Sequence, residues 1–268
     1  MTVGERSRVA LAPEPGRTDD RRSLPIFEAR PGSLPDRFAA ALHPRHPALV
    51  FFAALLVGFL LLAAASILLA LFVVHVLVPG SGLGLEGADE SVNDTLAQHR
   101  SPALTTLAEI GSQVGGAPVL PILVGIVALV CAYFRRWLIA AFAVFVLTVE
   151  SATYRVTSLL VPRERPSVHR LEHLEVDASY PSGHTAASIA VYSGLVLLLT
   201  TRFTGSLKKA LAWTAAILLT TFVALSRMYE GMHHPLDVAG GVLIGVGAIC
   251  VLLFACRAAG AAAESRRA

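Results

Sequence analysis

Charge is scarce in this 268-residue chain: Asp, Glu, Lys and Arg together make up only 15% of it. That excludes an ordinary soluble domain, where about a quarter of residues are charged. Cysteine is scarcer still. The three present, Cys131, Cys250 and Cys256, all fall in apolar runs, which argues against a disulfide framework and for reduced packing residues. The sequence also lacks a glycine-rich nucleotide loop, a heptad pattern and any internal repeat. Residues 1–46 contain no compact apolar core, so they do not read as a signal peptide. With Arg21, Arg22, Arg37, His43 and Arg45, they read as a disordered, basic, cytoplasmic leader. Their charges are mixed, so nucleic acid is not the reason for a pI near 9.0.

What is abundant is apolar surface: 54% of residues are hydrophobic and the mean hydropathy is +0.64. Apolar runs cover approximately 47–78, 119–134, 137–161, 185–200, 210–225 and 236–256. A bilayer core takes roughly 20 helical residues per crossing, so the runs predict an all-α, polytopic membrane bundle of about six transmembrane helices. The first run is long enough to tilt or to project. The runs from Thr185 and Ala210 are short and borrow a turn from their flanks. The division is then a leader, 1–46, a membrane domain, 47–256, and a cytoplasmic tail, 257–268. Residues 92–116 read as one or two amphipathic external helices, broken near Ser101-Pro102, that cap a site or lie on headgroups.

Short basic turns share one side of this plan, at Arg135-Arg136 and from Arg202 to Lys209. The positive-inside rule makes that side cytoplasmic and puts loops 162–184 and 226–235 outside. Arginines are nevertheless present in those outer loops, at Arg163, Arg165 and Arg227. Because topology disfavours them there, they read as partners of an anion.

Three short motifs sit in the outer loops: Arg165-Pro166, Pro181-Ser182-Gly183-His184, and Ser226-Arg227 followed by His233 and Asp237. Pro235 suits the first turn of the last span. Asp237 then lies about one helical turn from His233, where a carboxylate can accept the proton of one ring nitrogen and aim the other outward, which makes His233 a nucleophile candidate. Arg227 can grip two phosphate oxygens in a fork. Ser182 and Gly183 stand at a helix start, where open backbone N–H groups attract anions, glycine permits close approach, and a hydroxyl adds a donor. His184 is the general-acid candidate. His233 must attack unprotonated while His184 carries a proton, so the two need different surroundings.

In these residues the chain resembles the type 2 phosphatidic acid phosphatase family, of the acid phosphatase and vanadium haloperoxidase superfamily. The signature of that family is Lys-x6-Arg-Pro, Pro-Ser-Gly-His and Ser-Arg-x5-His-x3-Asp. The second and third parts match in full, the first is retained as Arg165 and Pro166, and the likeness covers about 137–256. It implies six helices, motif loops on the extracytoplasmic face of the plasma membrane, and no cofactor or metal. It also implies catalysis by His233, His184 and Asp237 through a phosphohistidine, with phosphate bound by Arg165, Arg227, Ser182 and Gly183. The substrates it suggests are a lipid phosphate or a polyprenyl diphosphate. Ser158 stands where the family has lysine. Arg163, in the same loop, is the substitute expected to bind phosphate, and Arg155 lies about one turn deeper. A lipid phosphotransferase with the same site, or a silent lipid-binding or transport protein, are the alternatives.

Two further features compete. His169, Glu172 and His173 spell an inverted zinc-hydrolase pattern, which requires a helix and a further ligand; in a short solvated connection it reads as chance. Glu150 lies within the third span, where a carboxylate is costly and needs a partner.

Overall fold

A computed structural model describes residues 24–43, 45–78, 85–172 and 178–266, and among these every regular element is helical. The helices are α1 (Leu34–Ala41), α2 (Pro47–Leu77), α3 (Leu85–Gln98), α4 (Pro102–Gly115), α5 (Val119–Tyr133), α6 (Trp137–Leu160), α7 (Gly183–Thr200), α8 (Ser206–Tyr229) and α9 (Pro235–Ser265). Six segments are long and apolar enough to cross a membrane: α2, α4 with α5, α6, α7, α8 and α9. The chain is an integral membrane helical bundle, as its composition implies.

The last helix, α9, is the axis of the packing. It lies against α2, α6 and α7, and its Ile244, Ala248, Leu252 and Ala255 are fully buried. Its approach to α7 needs a missing side chain: a Cβ on Gly241 would stand 2.5 Å from the Ser182 carbonyl oxygen. The first turn of α9 and the start of α7 are thereby held together, and the Ser182 amide donates to the Asp237 carbonyl at 2.9 Å.

Two expectations change. The expected break near Ser101-Pro102 separates α3 from α4, but residues 102–115 run on into α5 as one candidate span by length and composition. The apolar stretch of α5 is only 15 residues, about 22 Å, short of a roughly 30 Å core, and α4 supplies the remainder of that span. α4 runs along the end of α8, with Tyr229 Oη accepting from the Ser101 amide at 3.1 Å. The leader is also partly ordered: residues 24–43 pack on the far end of α9, while residues 1–23 lie outside the described residues. Leu24 and Phe27 are buried there, and Arg257 Nε donates to the Ile26 carbonyl at 2.8 Å. Small residues explain the docking, because Ala255, Ala258, Ala259 and Ala262 give α9 a shallow face, and the helix continues into the supposed tail as far as Ser265.

Candidate active site

All the sequence motifs meet at one end of the bundle, where α6 and α8 end and where α7 and α9 begin. The α8–α9 turn is clamped from above by α3. Asp89 accepts from the Leu236 amide at 3.0 Å and from Arg163 Nη2 at 2.7 Å. Asn93, with its amide nitrogen turned inward, donates to the carbonyls of Met228 and His233 at 2.9 and 3.2 Å. Sequence reasoning identified neither residue.

Asp237 is the hub. Its carboxylate accepts from the His234 amide at 2.7 Å, closing a capping box at the start of α9 around Pro235. It also accepts from Arg163 Nη1 at 2.6 Å and, in a short bond, from Ser179 Oγ. It does not hydrogen-bond His233 directly, since the nearest approach to Nδ1 is 3.9 Å. The His233 Nδ1 proton goes instead to the Ser179 carbonyl oxygen at 2.7 Å. The expected carboxylate–imidazole bond is thus relayed: Asp237 fixes Ser179, and the Ser179 carbonyl fixes the ring.

That relay sets the tautomer. A carbonyl only accepts, so Nδ1 carries the hydrogen and the Nε2 lone pair of a neutral ring is unprotonated. Burial and then the nearby Arg227 pull the His233 pKa down to about 3, against an opposing pull from Asp237. The ring is therefore neutral throughout the physiological range.

Arg227 is completely buried. One nitrogen, Nη1, meets Glu230 at 2.7 Å and makes short bonds to Ser112 of α4 and to Glu172. The other edge of the guanidinium, Nε and Nη2, is buried with no hydrogen-bond partner among the described residues. Two parallel N–H donors on one planar edge match two oxygens of a phosphate. Arg165 is held through Nη1 by the Met232 carbonyl at 2.5 Å, one residue before His233. Burial, only partly offset by Arg227, raises the Glu230 pKa to about 7. Glu230 lies inside the third motif, three residues beyond Arg227, and that spacing was its legible signal.

His184 and Gly183 line a cleft of about 530 Å³ together with His233. His184 Nε2 lies under the α4–α5 break: a Cβ on Gly116 would stand 2.6 Å from it. Ser182 is fully buried and its Oγ pairs with Thr185 Oγ1 at 2.9 Å. The first-turn amides of Gly183 and His184 have no intrahelical carbonyl to meet, as at any helix start.

Residues 139–259 match the family model described as the PAP2 superfamily. They form a PAP2 superfamily domain. Among known proteins, the bacitracin transport permease protein BcrC of Bacillus licheniformis is 38% identical over 81 residues, 30% of this chain and 35% of that one. An undecaprenyl-diphosphatase of Sulfolobus acidocaldarius is 32% identical over 108 residues, 40% of this chain and 48% of that one. The chain thus spans less than half the length of each of these two relatives. A transmembrane PAP2-type phosphatidylglycerolphosphate phosphatase from Bacillus subtilis aligns with a TM-score of 0.59 at 24% identity, over 75% of this chain and 92% of that one, and shares its fold.

Within the PAP2 domain, one expected phosphate ligand is otherwise engaged. Arg163 is not open to an anion, because Asp237 and Asp89 hold it in a nearly buried ion triad. Burial alone would lower its pKa, yet the two carboxylates raise it, so it is a permanent cation serving as a strut. Ser158 does not replace the lysine either: it is buried, and its hydroxyl returns to the carbonyls of Tyr154 and Arg155 at 2.9 and 3.2 Å. The zinc-hydrolase pattern has no helix at His169–Glu172, Glu172 is bound to Arg227, and His173 lies outside the described residues. Glu150 finds its partner in Ser151, whose Oγ donates to it at 3.0 Å.

Proposed function

We propose that this protein is a membrane lipid phosphate phosphatase. It hydrolyses a phosphomonoester or diphosphate of a lipid, at the extracytoplasmic face of the plasma membrane, through a phosphohistidine. The observation that carries this reading is the pairing of an unpartnered, buried guanidinium edge on Arg227 with an imidazole, His233, whose free nitrogen is Nε2.

In the first step His233 Nε2 forms a bond to phosphorus as the bond to the lipid oxygen breaks. The electron pair goes to that oxygen, which takes a proton from His184. Water then cleaves the phosphohistidine, with His184 accepting the water proton. Arg227, Arg165 and the first-turn amides of Gly183 and His184 hold the three equatorial oxygens, and this electrostatic stabilisation is the main catalytic term in such a transfer. Asp237 acts through Ser179, Arg163 and the α9 capping box, so it is a positioning residue.

The lipid substrate is supported by the position of the cleft, whose remaining walls include Leu120, Pro121, Leu147 and Ala187 from three candidate spans. The names of the relatives, which cite undecaprenyl diphosphate and phosphatidylglycerol phosphate, point the same way. The basic turns at Arg135-Arg136 and Arg202 lie at the opposite end of the bundle, which favours an extracytoplasmic site.

The test is release of inorganic phosphate from a panel of lipid phosphates by the purified protein and by His233→Ala. Loss of at least about a thousandfold in kcat is expected on removing a nucleophile. Turnover that survives in the variant rejects His233. Transfer of phosphate to a second lipid without free phosphate identifies a phosphotransferase instead.

A further inference from the structure

One cation in the cleft is unused by the chemistry above. Arg155 is exposed and has no ion pair or side-chain hydrogen bond with any described residue. It lines the same cleft as His184 and His233. The face of α6 that it continues runs through Leu147, Glu150, Ser151 and Tyr154, the spacing of one helical stripe. Tyr154 fixes the height of that stripe: its ring lies 3.1–3.2 Å from where a Gly183 Cβ would be, beside the first turn of α7.

The placement of Arg155 relative to the other two arginines decides its role. Arg165 and Arg227 do not line the cleft, and Arg227 is fully buried, whereas Arg155 is exposed in its wall. Arg155 is on the open side, three residues and about 4.5 Å further into the membrane than Ser158, the position that would serve the equatorial oxygens. In an in-line displacement the leaving oxygen is opposite His233, at His184, and whatever it carries passes into the cleft. The cleft then becomes apolar at Leu120, Pro121, Leu147 and Ala187. Arg155 therefore meets the first atoms beyond the leaving oxygen, before the hydrocarbon begins.

We infer that Arg155 binds a second phosphate group on the leaving side of the scissile phosphorus, and so selects lipid diphosphates over lipid monophosphates. This rests on the phosphatase reading and narrows its substrate class. His233 Nε2 bonds to the terminal phosphorus as the bond from that phosphorus to the bridging oxygen breaks. The bridging oxygen keeps the electron pair and takes the proton from His184. The lipid monophosphate leaves with its charge matched by the Arg155 guanidinium, a charge-assisted, bidentate pairing that a monophosphate ester cannot offer at this position.

The experiment compares farnesyl diphosphate with farnesyl monophosphate, which share one tail, using purified protein in detergent. Wild type is expected to have the higher kcat/KM on the diphosphate. Arg155→Gln lowers that value about tenfold to a hundredfold, the scale of one lost charge-assisted bond, and moves the monophosphate value by less than about threefold. Arg155→Lys recovers part of the loss. Equal losses on both substrates, or no wild-type preference, overturn the assignment while leaving the phosphatase standing. Where the Gln variant elutes aggregated, the diphosphate-to-monophosphate ratio of the Lys variant decides, and an unchanged ratio overturns the assignment. Release from neither substrate by wild type removes the phosphatase reading and this assignment with it.

Discussion

The two ends of the bundle are built on opposite principles. At the motif end, Arg227, Arg163, Asp237, His233, Ser179 and Ser182 are buried or nearly so, and each is held by directional bonds to a residue far away in sequence. At the far end, Leu24, Phe27 and Phe38 rest on the alanine face of α9, with a single polar tie among the described residues, from Arg257 to Ile26. Burying a charge is costly unless it is paired, so the first arrangement persists only while every partner is present. The second is an area effect, spread over many weak contacts, that degrades gradually. Chemistry needs groups fixed to a fraction of an ångström, and only the directional network provides that.

The largest effect short of removing His233 is expected where the network is cut. Arg163→Ala leaves the Asp237 and Asp89 carboxylates buried and uncompensated, which costs about 3–5 kcal/mol. The thermal midpoint in detergent should fall sharply, and kcat should fall with it as Ser179 and His233 lose their orientation. Arg163→Lys keeps the charge and should recover part of both. If the alanine variant melts with wild type but loses substrate affinity alone, Arg163 is a phosphate ligand after all and the strut assignment fails.

A milder intervention addresses Glu230, which competes with substrate for Arg227. Its pKa, raised by burial to about 7, means that the carboxyl is protonated below about pH 7 and ionised above it. Ionised, it neutralises the guanidinium, so KM should rise by several-fold as pH passes from 6 to 8. The same sign governs folding: the contribution of the neutral form is complete below the ordinary value of 4.5 and is lost as pH rises through about 7. Glu230→Gln should flatten the KM profile. A Gln variant with the full wild-type rise would assign that limb to the ionisation of the substrate. The His233 ring, with its pKa near 3, adds no limb in this window.

The legible part of this site was the part written in short spacings. His233 and Asp237 lie about one helical turn apart where an apolar run begins, Arg227 stands six residues before His233, and Pro181 to His184 announce a helix start. The partners that make those residues work were not legible, because Ser179 lies 58 residues from Asp237, and Asp89 lies 74 from Arg163. No local rule connects them. The six-span plan followed from apolar content, but the second span was misread since Gly116, Ala117 and Pro118 interrupt it and hide the continuity of α4 with α5. The ordered part of the leader was masked for a different reason: its few apolar residues, Leu24, Phe27 and Phe38, are too sparse to signal a core until the alanines of α9 are seen beneath them.

The smallest effect on turnover is expected at that far end. Ala259 is 5% exposed and packs in the cluster with Leu24 and Phe27. Ala259→Leu adds three carbons where no space is open, and such overpacking costs about 1–3 kcal/mol. The cost is local because the end segment can lift from α9 without breaking a buried ion pair. The midpoint of thermal unfolding should fall by a few degrees, and the region before Leu42 should become more open to protease. The kcat on a lipid phosphate should stay within about twofold of wild type, since distant sites without shared partners act independently. A variant with wild-type melting but much reduced kcat would show that the alanine face communicates with the α9 capping box along the helix. The contrast between a rigid end that performs chemistry and a compliant end that only packs would then be wrong.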